Sequence, residues 1–260
     1  MSDAASTPWR ERLERRLGLW RSLLVYHGIP GRRAQLQRFY RQFVPAGGLA
    51  FDVGAHTGNR LDAFLTLGAH VVAIEPQPAL AARLERRFGN DARVSLWAGA
   101  LGKAVGQATL LSSPRTPSVA TLSTDFVQRA GAAASFRGVQ WQAGPTVEVT
   151  TLDVLIAQHG VPDFVKIDVE GFELEVLLGL SQPLPALSFE FVPAVRDVAV
   201  ACIDRLESLA GAGRYRYAVS LGERLRLLHP EGEGAEAVRA WLRGMPSDGP
   251  SGDVHAWLQR

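Results

Sequence analysis

The segment FDVGAHTGN at residues 51–59 combines residue types that bind an anionic or nucleoside ligand. An apolar run ends at Val53, and Gly54 and Gly58 follow it four residues apart, which is typical of a buried strand that turns sharply into a helix. The unpaired backbone N–H groups and the dipole at the N-terminus of such a helix favour an anionic group. We expect the two glycines to leave room there for a ligand.

A second acidic residue lies at the spacing that a ribose-binding carboxylate requires. Glu75 comes 23 residues after Asp52 and ends the apolar run VVAI, which predicts a second strand. In open α/β sheets, ligands lie outside the carboxyl ends of the strands, where an acidic residue commonly binds the two hydroxyls of a ribose. The two motifs together predict a site for a nucleoside cofactor.

The spacing of the glycines distinguishes two cofactors. A dinucleotide site uses G-x-G-x-x-G, whereas this chain has G-x-x-x-G with His56 inside it. Such a loop suits a ligand that has a ribose and a carboxylate but no pyrophosphate, with Asp52 near a positive amino group. S-adenosylmethionine fits that description, and we expect these residues to bind it: Asp52, Gly54, His56, Gly58, Asn59, Glu75, Pro76, Ala100 and Asp168.

Three carboxylates are placed to act at the same edge of the sheet. Apolar residues alternate in DFVKIDV at 163–169, so Lys166 and Asp168 share one face of a central strand. Glu170 follows at the turn, and Glu190 lies near the end of the next strand. An alcohol that attacks a methyl group needs a base for its proton, and we expect Asp168 to be that base, assisted by Glu170 or Glu190. The same three side chains are ligands that Mg²⁺ or Ca²⁺ prefers, so a metal mechanism stays open without being favoured. Helix capping and ion pairing are the alternative roles.

Strands and helices alternate along the chain in the manner of a doubly wound α/β sheet. We expect seven strands, with an antiparallel hairpin around Gly222 at the end of the sheet. The predicted strands are 49–53, 70–75, 93–98, 163–169, 186–192, 214–221 and 224–230, and two short strands lie at 107–112 and 146–151. We expect this sheet domain to span residues 47–230, between N-terminal helices at 1–46 and a C-terminal extension at 231–260.

The stretch of residues 112–145 is too long for an ordinary connection and follows a strand at the carboxyl edge of the sheet. We expect it to form a lid that binds a polar acceptor, anionic or sugar-containing. A surface insertion without contact to the acceptor is the alternative. The side chains expected to bind the acceptor are Arg115, Phe126, Arg129, Arg137 and Trp141.

Composition agrees with an enzyme that has one large core. The chain has 260 residues, of which 47% are hydrophobic. No apolar run approaches the roughly 20 residues that cross a bilayer. Cys202 is the only cysteine, and the first residues lack the apolar segment of a secretory signal. We therefore expect a cytoplasmic protein without disulfides.

The N-terminal segment is strongly basic. Residues 9–41 hold nine arginines against Glu11 and Glu14, although the net charge of the whole chain is only +2. Apolar residues from Trp9 to Leu24 recur at helical spacing, which predicts an amphipathic helix. Three roles are open for it: docking on the main domain, attraction to an anionic membrane or nucleic acid, and lining the substrate entrance. Its apolar stripe would serve a homodimer equally well, and nucleic acid is not the expected partner.

Five segments together resemble the FkbM family of S-adenosylmethionine-dependent methyltransferases. They are FDVGAHTGN, IEPQP, TLDVL, DFVKIDVEGFELEVLLGL and SFEF, and KIDVEG is the most distinctive of them. The resemblance covers roughly residues 47–220. It implies a class I methyltransferase fold and O-methylation of a hydroxyl on a sugar or natural product.

The resemblance also implies roles for single residues. Asp52, Gly54 and Gly58 match the glycine loop, Glu75 matches the ribose-binding acid, and Asp168, Glu170 and Gly171 match the fourth-strand motif. His56 departs from the family, which more often has Asn there. Two other classes of function remain as alternatives: a nicotinamide-dependent oxidoreductase, and a non-catalytic cofactor-binding scaffold.

Overall fold

The computed structural model describes residues 31–113, 116–130, 136, 139–222 and 224–259. Its main sheet contains the strands β1 (Leu49–Val53), β2 (His70–Ile74), β3 (Val94–Trp97), β8 (Phe164–Ile167), β9 (Ala186–Phe191), β10 (Tyr215–Leu221) and β11 (Gly252–Leu258). Across the sheet these seven strands lie in the order β10-β11-β9-β8-β1-β2-β3. The strands β3, β2, β1, β8 and β9 are mutually parallel, and β11 is antiparallel to both of its neighbours. The predicted doubly wound sheet with an antiparallel end is therefore confirmed.

The strands of this sheet carry apolar side chains on both faces, and helices cover each face. Phe51, Val53 and Ile167 point toward one layer, whose helices are α5 (Leu152–His159), α6 (Glu173–Leu178), α7 (Arg196–Ala210) and α8 (Ala235–Gly244). Ala50 and Phe164 point toward the other layer, which consists of α1 (Arg32–Tyr40), α2 (Asn59–Thr66) and α3 (Pro78–Phe88). None of the helices in the described ranges is long and apolar enough to cross a membrane.

The seventh strand is not where the sequence predicts it. The predicted strand at 224–230 alternates polar and apolar residues, but its Leu227 is buried as part of a loop against the α1 layer. Residues 252–258 form the strand instead, hydrogen-bonded to β9 on one side and β10 on the other. Since α8 and β11 complete the layers of the sheet, the predicted boundary at residue 230 requires correction. Residues 235–258 belong to the same domain.

The predicted lid also has more structure than expected. A second sheet contains β4 (Ala100–Leu101), β5 (Gly106–Ser113), β6 (Thr116–Thr121) and β7 (Gln142–Thr150), in the order β4-β7-β5-β6. A helix, α4 (Thr124–Ala130), follows β6. The described part of the stretch 112–145 therefore contains a strand and a helix, which lie in sequence between the paired strands β5 and β7. The predicted amphipathic helix around residues 9–24 lies outside the described residues.

Candidate active site

A cavity of about 320 Å³ lies at the carboxyl ends of β1, β2, β8 and β9. In a parallel sheet these ends meet at one edge, so residues that are distant in sequence converge there. Most residues predicted for the site line this cavity: Gly54, His56, Asn59, Glu75, Pro76, Ala100, Asp168, Glu170 and Glu190. The sequence therefore placed both the cofactor motif and the acidic motif at the same site.

Both glycines of the loop lie where neighbouring protein atoms leave no space for a side chain. Gly54 has a φ of 85°, and a Cβ at this position would overlap the backbone carbonyl oxygen of Asp168. Gly58 has a φ of 83°, and a Cβ there would lie 2.6 Å from the ring of Phe88. Gly58 does not line the cavity, so the space it leaves is occupied by α3 and not, as expected, by a ligand. Gly54 instead allows the ends of β1 and β8 to approach each other at the cavity wall.

Asp52 lies beneath the cavity and not in its wall. It is buried, and its Oδ2 accepts a hydrogen bond of 3.0 Å from the N–H of Leu61 in the first turn of α2. Its Oδ1 has no hydrogen-bond partner, and burial raises its pKa to about 6. One oxygen of this carboxylate therefore contacts the start of α2, and the contact of Asp52 with a positive amino group stays a prediction.

Glu75 occupies the position expected for the ribose-binding acid. Its Oε2 accepts the N–H of His56 at 2.8 Å, and its Oε1 accepts the N–H of Gln77 at 2.9 Å. These bonds fix the carboxylate at the end of β2, where it lines the cavity. Burial raises the pKa of Glu75 to about 7. Each oxygen keeps a further lone pair for a hydroxyl donor.

The three predicted catalytic carboxylates form a cluster in the wall of the cavity. One oxygen each of Asp168, Glu170 and Glu190 lie within 4.8 Å of one another. Burial, followed by the charge of Asp168, raises the pKa of Glu170 and of Glu190 well above the ordinary value. Oε2 of Glu190 is buried without a hydrogen-bond partner. Glu170 has a positive φ of 54°, an unusual backbone conformation for a residue other than glycine.

Asp168 differs from the two glutamates because cations contact it. Its Oδ2 lies 3.2 Å from Nζ of Lys166 and 3.9 Å from a guanidinium nitrogen of Arg60. Glu173, which follows on α6, has a structural role, since its Oε1 accepts the N–H groups of Val169 and Gly171 at 3.2 Å each. It holds the loop that carries Glu170.

Several cavity residues were missed by sequence reasoning. Thr57 and Arg60 come from the loop and helix α2, and Thr121 comes from the end of β6. Ser251 directly precedes β11 and Asp253 lies at its start, and the position of this strand in the sheet was not predicted. A signal existed for Arg60, because it follows the glycine loop directly at the helix N-terminus.

Three of the side chains predicted to bind the acceptor lie away from the cavity. Phe126 is buried against the rings of Phe136 and Trp141, with centroid distances of 5.2 and 6.1 Å, and fills the space left by Gly171. Arg129 forms ion pairs with Asp125 and Asp197. Neither Phe126, Arg129 nor Trp141 lines the cavity. Arg115 and Arg137 lie outside the described residues. The second sheet reaches the cavity instead through these residues: Leu110, Ala120, Thr121 and Leu122.

The cavity fits a nucleoside cofactor on two observations. Glu75 is a buried carboxylate held by backbone donors at the end of the second strand, and the turn from Gly54 to Thr57 lies beside it. An acidic residue at the end of the strand after a glycine loop is the arrangement that binds a ribose. The fold and this cavity together define a class I methyltransferase architecture.

Residues 52–195 match the methyltransferase FkbM domain, and the chain belongs to this family of S-adenosylmethionine-dependent methyltransferases. No curated protein matches the sequence. Among solved structures, the chain is similar to a precorrin-6y C5,15-methyltransferase from Geobacter metallireducens, with 13% identity, a TM-score of 0.44, and coverage of 87% of this chain and 86% of that one. It is also similar to an O-methyltransferase from Bacillus cereus in complex with SAH, with 14% identity, a TM-score of 0.42, and coverage of 98% and 93%.

Proposed function

We propose that this methyltransferase transfers the methyl group to a hydroxyl of a sugar or natural product, with a carboxylate as the general base. The observation that carries this proposal is the cluster of Asp168, Glu170 and Glu190, whose oxygens lie within 4.8 Å of one another at the cavity wall. A hydroxyl must lose its proton as the new bond forms, and a carboxylate with a raised pKa is suited to accept it.

Residues at the carboxyl ends of β1 and β2 would bind the cofactor. Glu75 would hold the ribose hydroxyls, and the loop from Gly54 to Asn59 would hold the rest of the cofactor. When bound, S-adenosylmethionine supplies a sulfonium methyl that is already a good electrophile. The protein's contribution is to align the acceptor oxygen, exclude water and take up the proton.

The charges of the lining favour a neutral or cationic acceptor over an anionic one. Five carboxylates line the cavity, whereas the described lining residues include a single arginine, Arg60. The carboxylates are Glu75, Asp168, Glu170, Glu190 and Asp253. An anionic group would meet repulsion from the ionised members of this set, which supports a neutral or cationic acceptor in place of the anionic one. Hydroxyls of Thr121 and Ser251 offer further contacts to a polyhydroxylated acceptor.

A divalent metal at the three carboxylates is a second mechanism, which we do not favour. Their oxygen ligands are of the type that Mg²⁺ and Ca²⁺ prefer, but the ammonium of Lys166 already contacts Asp168. A divalent cation placed next to this ammonium would be repelled by it. Activity after removal of metal distinguishes the two mechanisms.

The test is transfer of a labelled methyl group from S-adenosylmethionine to a panel of acceptors. The panel contains glycosides, polyols, phenols and amines of similar size, and the position of the new methyl group is determined by NMR. We expect a methyl ether on a hydroxylated acceptor, formed equally well after treatment with a chelator. Methyl groups only on nitrogen or carbon would contradict the proposal.

A further inference from the structure

The side chain of Lys166 is a cation buried in the middle of the sheet, directly behind the cavity. It is 0% exposed, and Nζ donates to the carbonyl oxygen of Ile167 at 3.2 Å, to Asp168 Oδ2 at 3.2 Å and to Asp253 Oδ1 at 2.9 Å. A buried ammonium is costly unless it is paired and hydrogen-bonded. All three donors of this ammonium therefore have acceptors, two of which are carboxylates of the cavity wall.

The three strands around Lys166 place three carboxylates side by side. Asp253 on β11 is in register with Glu190 on β9. Ile167 on β8 is in register with Phe189 on β9, so Asp168 follows at the level of Glu190. Lys166 spans β9 and contacts the outer two carboxylates, Asp168 and Asp253. Glu190, between them, has a buried oxygen without a hydrogen-bond partner.

We propose that Lys166 is a positioning residue for methyl transfer: its ammonium binds Asp168 and Asp253 and holds both carboxylates in fixed places, which assigns the proton-accepting role to Glu190 and Glu170. This inference rests on the proposed function, and it revises the base expected from the sequence, which was Asp168. Asp168 is in contact with two cations, whereas the two glutamates have raised pKa values and adjoin the same cavity.

Charged and titratable groups face Lys166 from every element that packs around it. Burial acts to lower the pKa of Lys166, but Asp168 and Asp253 raise it above the ordinary value. Burial acts to raise the pKa of Asp253, but Lys166 and His255 lower it. The other groups that face this ammonium are Tyr40 from α1, Asp52 from β1, Arg60 from α2 and the glutamates Glu170 and Glu190.

The first test uses the fact that the chain has only two lysines, Lys103 and Lys166. Selective ¹³C labelling of lysine gives two side-chain Cε signals, and Lys103→Arg identifies which one belongs to Lys166. We expect the signal of Lys166 to remain that of an ammonium as the pH is raised to about 10, the ordinary range of a lysine. A signal that reports a neutral amine at pH 7 would overturn the inference, and this measurement needs no acceptor.

The second test compares Lys166→Met with Lys166→Arg, using the acceptor found in the methyl-transfer screen. The charge of Lys166 lowers the pKa of both glutamates, so we expect Lys166→Met to move the rising limb of kcat against pH to higher pH. At pH 7 we expect kcat to fall about tenfold or more. Lys166→Arg keeps a cation and should restore the position of the limb. Lys103→Met, which removes an exposed lysine, is the matched control.

A purely structural role for Lys166 would lower kcat without moving the limb, and that result would overturn the inference. Failure of the proposed function is a different outcome, namely the absence of methyl transfer to hydroxyls by the wild-type protein. The lysine titration decides on the charge of Lys166 in either case.

Discussion

The carbonyl oxygen of Asp168 occupies the space in which a Cβ on Gly54 would lie. The two residues belong to the two motifs that the sequence singled out, at the ends of neighbouring strands β1 and β8. The cofactor loop and the acidic motif are therefore in direct backbone contact.

This contact predicts the effect of adding a methyl group. Gly54→Ala meets both a positive φ of 85° and the carbonyl oxygen of Asp168, so we expect a loss of about 2–4 kcal/mol in the free energy of unfolding. Urea unfolding measures this loss. Gly106→Ala is the control, because no atom lies within 4 Å of the position that its Cβ would take. Equal stability of Gly54→Ala and the wild-type protein would contradict the contact.

Glu75 predicts a pH dependence of stability. Burial raises its pKa from 4.5 to about 7, so the folded state holds a proton that the unfolded chain releases between these two values. The stability contributed by this proton is present below pH 4.5 and is lost as the pH rises through 7.

Glu75→Gln removes this dependence. We expect the unfolding free energy of the wild-type protein, relative to the variant, to fall by on the order of 3 kcal/mol between pH 4 and 8. Contributions from other buried acids, such as Asp52 and Glu173, cancel in this difference. Glu148→Gln, an exposed substitution, should show no such trend. Parallel stability curves for Glu75→Gln and wild type would be inconsistent with a buried, protonated Glu75.

The acidic cluster predicts a separation of catalysis from cofactor binding. Glu190→Gln and Glu170→Gln each remove a proton acceptor, and for the residue that acts as the base we expect kcat to fall by about 10²–10⁴-fold. Affinity for S-adenosylhomocysteine should change little, since this product lacks the transferred methyl group. Steady-state kinetics and calorimetry measure the two quantities. If both variants keep the wild-type kcat, the carboxylates are not the base.

The ion pairs of Arg129 on helix α4 predict a structural role for this side chain. Its guanidinium pairs with Asp197 on α7 and with Asp125 on α4, away from the cavity. Arg129→Ala should therefore lower the melting temperature while the KM for the acceptor stays within about twofold. Asp197→Ala removes the same pair and is the matched variant. A rise in KM specific to Arg129→Ala would restore the acceptor-binding role expected from the sequence.

The sequence predicted the parts of the site that follow from strand ends. Glu75, Asp168 and Glu190 each end a strand, or follow one, whose apolar pattern is strong, and parallel strands bring these ends together. Asp253 could not be found in this way. It contacts Lys166, which lies 87 residues earlier in the sequence. The alternating pattern at 224–230 also predicts a strand, and it favours these residues as the last strand of the sheet in place of β11.

The glycines and the lid show a second limit of prediction from sequence. The pattern at Gly58 is the same whether the missing side chain makes room for a ligand or for Phe88. Similarly, aromatic and basic residues such as Phe126 and Arg129 are as suited to a small hydrophobic cluster and an ion pair as to an acceptor. Only the packing of α3 and α4 decides between these roles, and packing depends on contacts distant in sequence.

Calorimetric titration of the chelator-treated protein with S-adenosylhomocysteine tests the central claim most directly. We expect micromolar binding without added Mg²⁺, no binding of NAD, and affinity at least about tenfold weaker in Glu75→Gln, because the ribose hydroxyls would lose their carboxylate acceptor. Glu148→Gln should bind as the wild-type protein does. Absence of binding to the wild-type protein, or equal affinity in Glu75→Gln, would contradict the assignment of this cavity as the cofactor site.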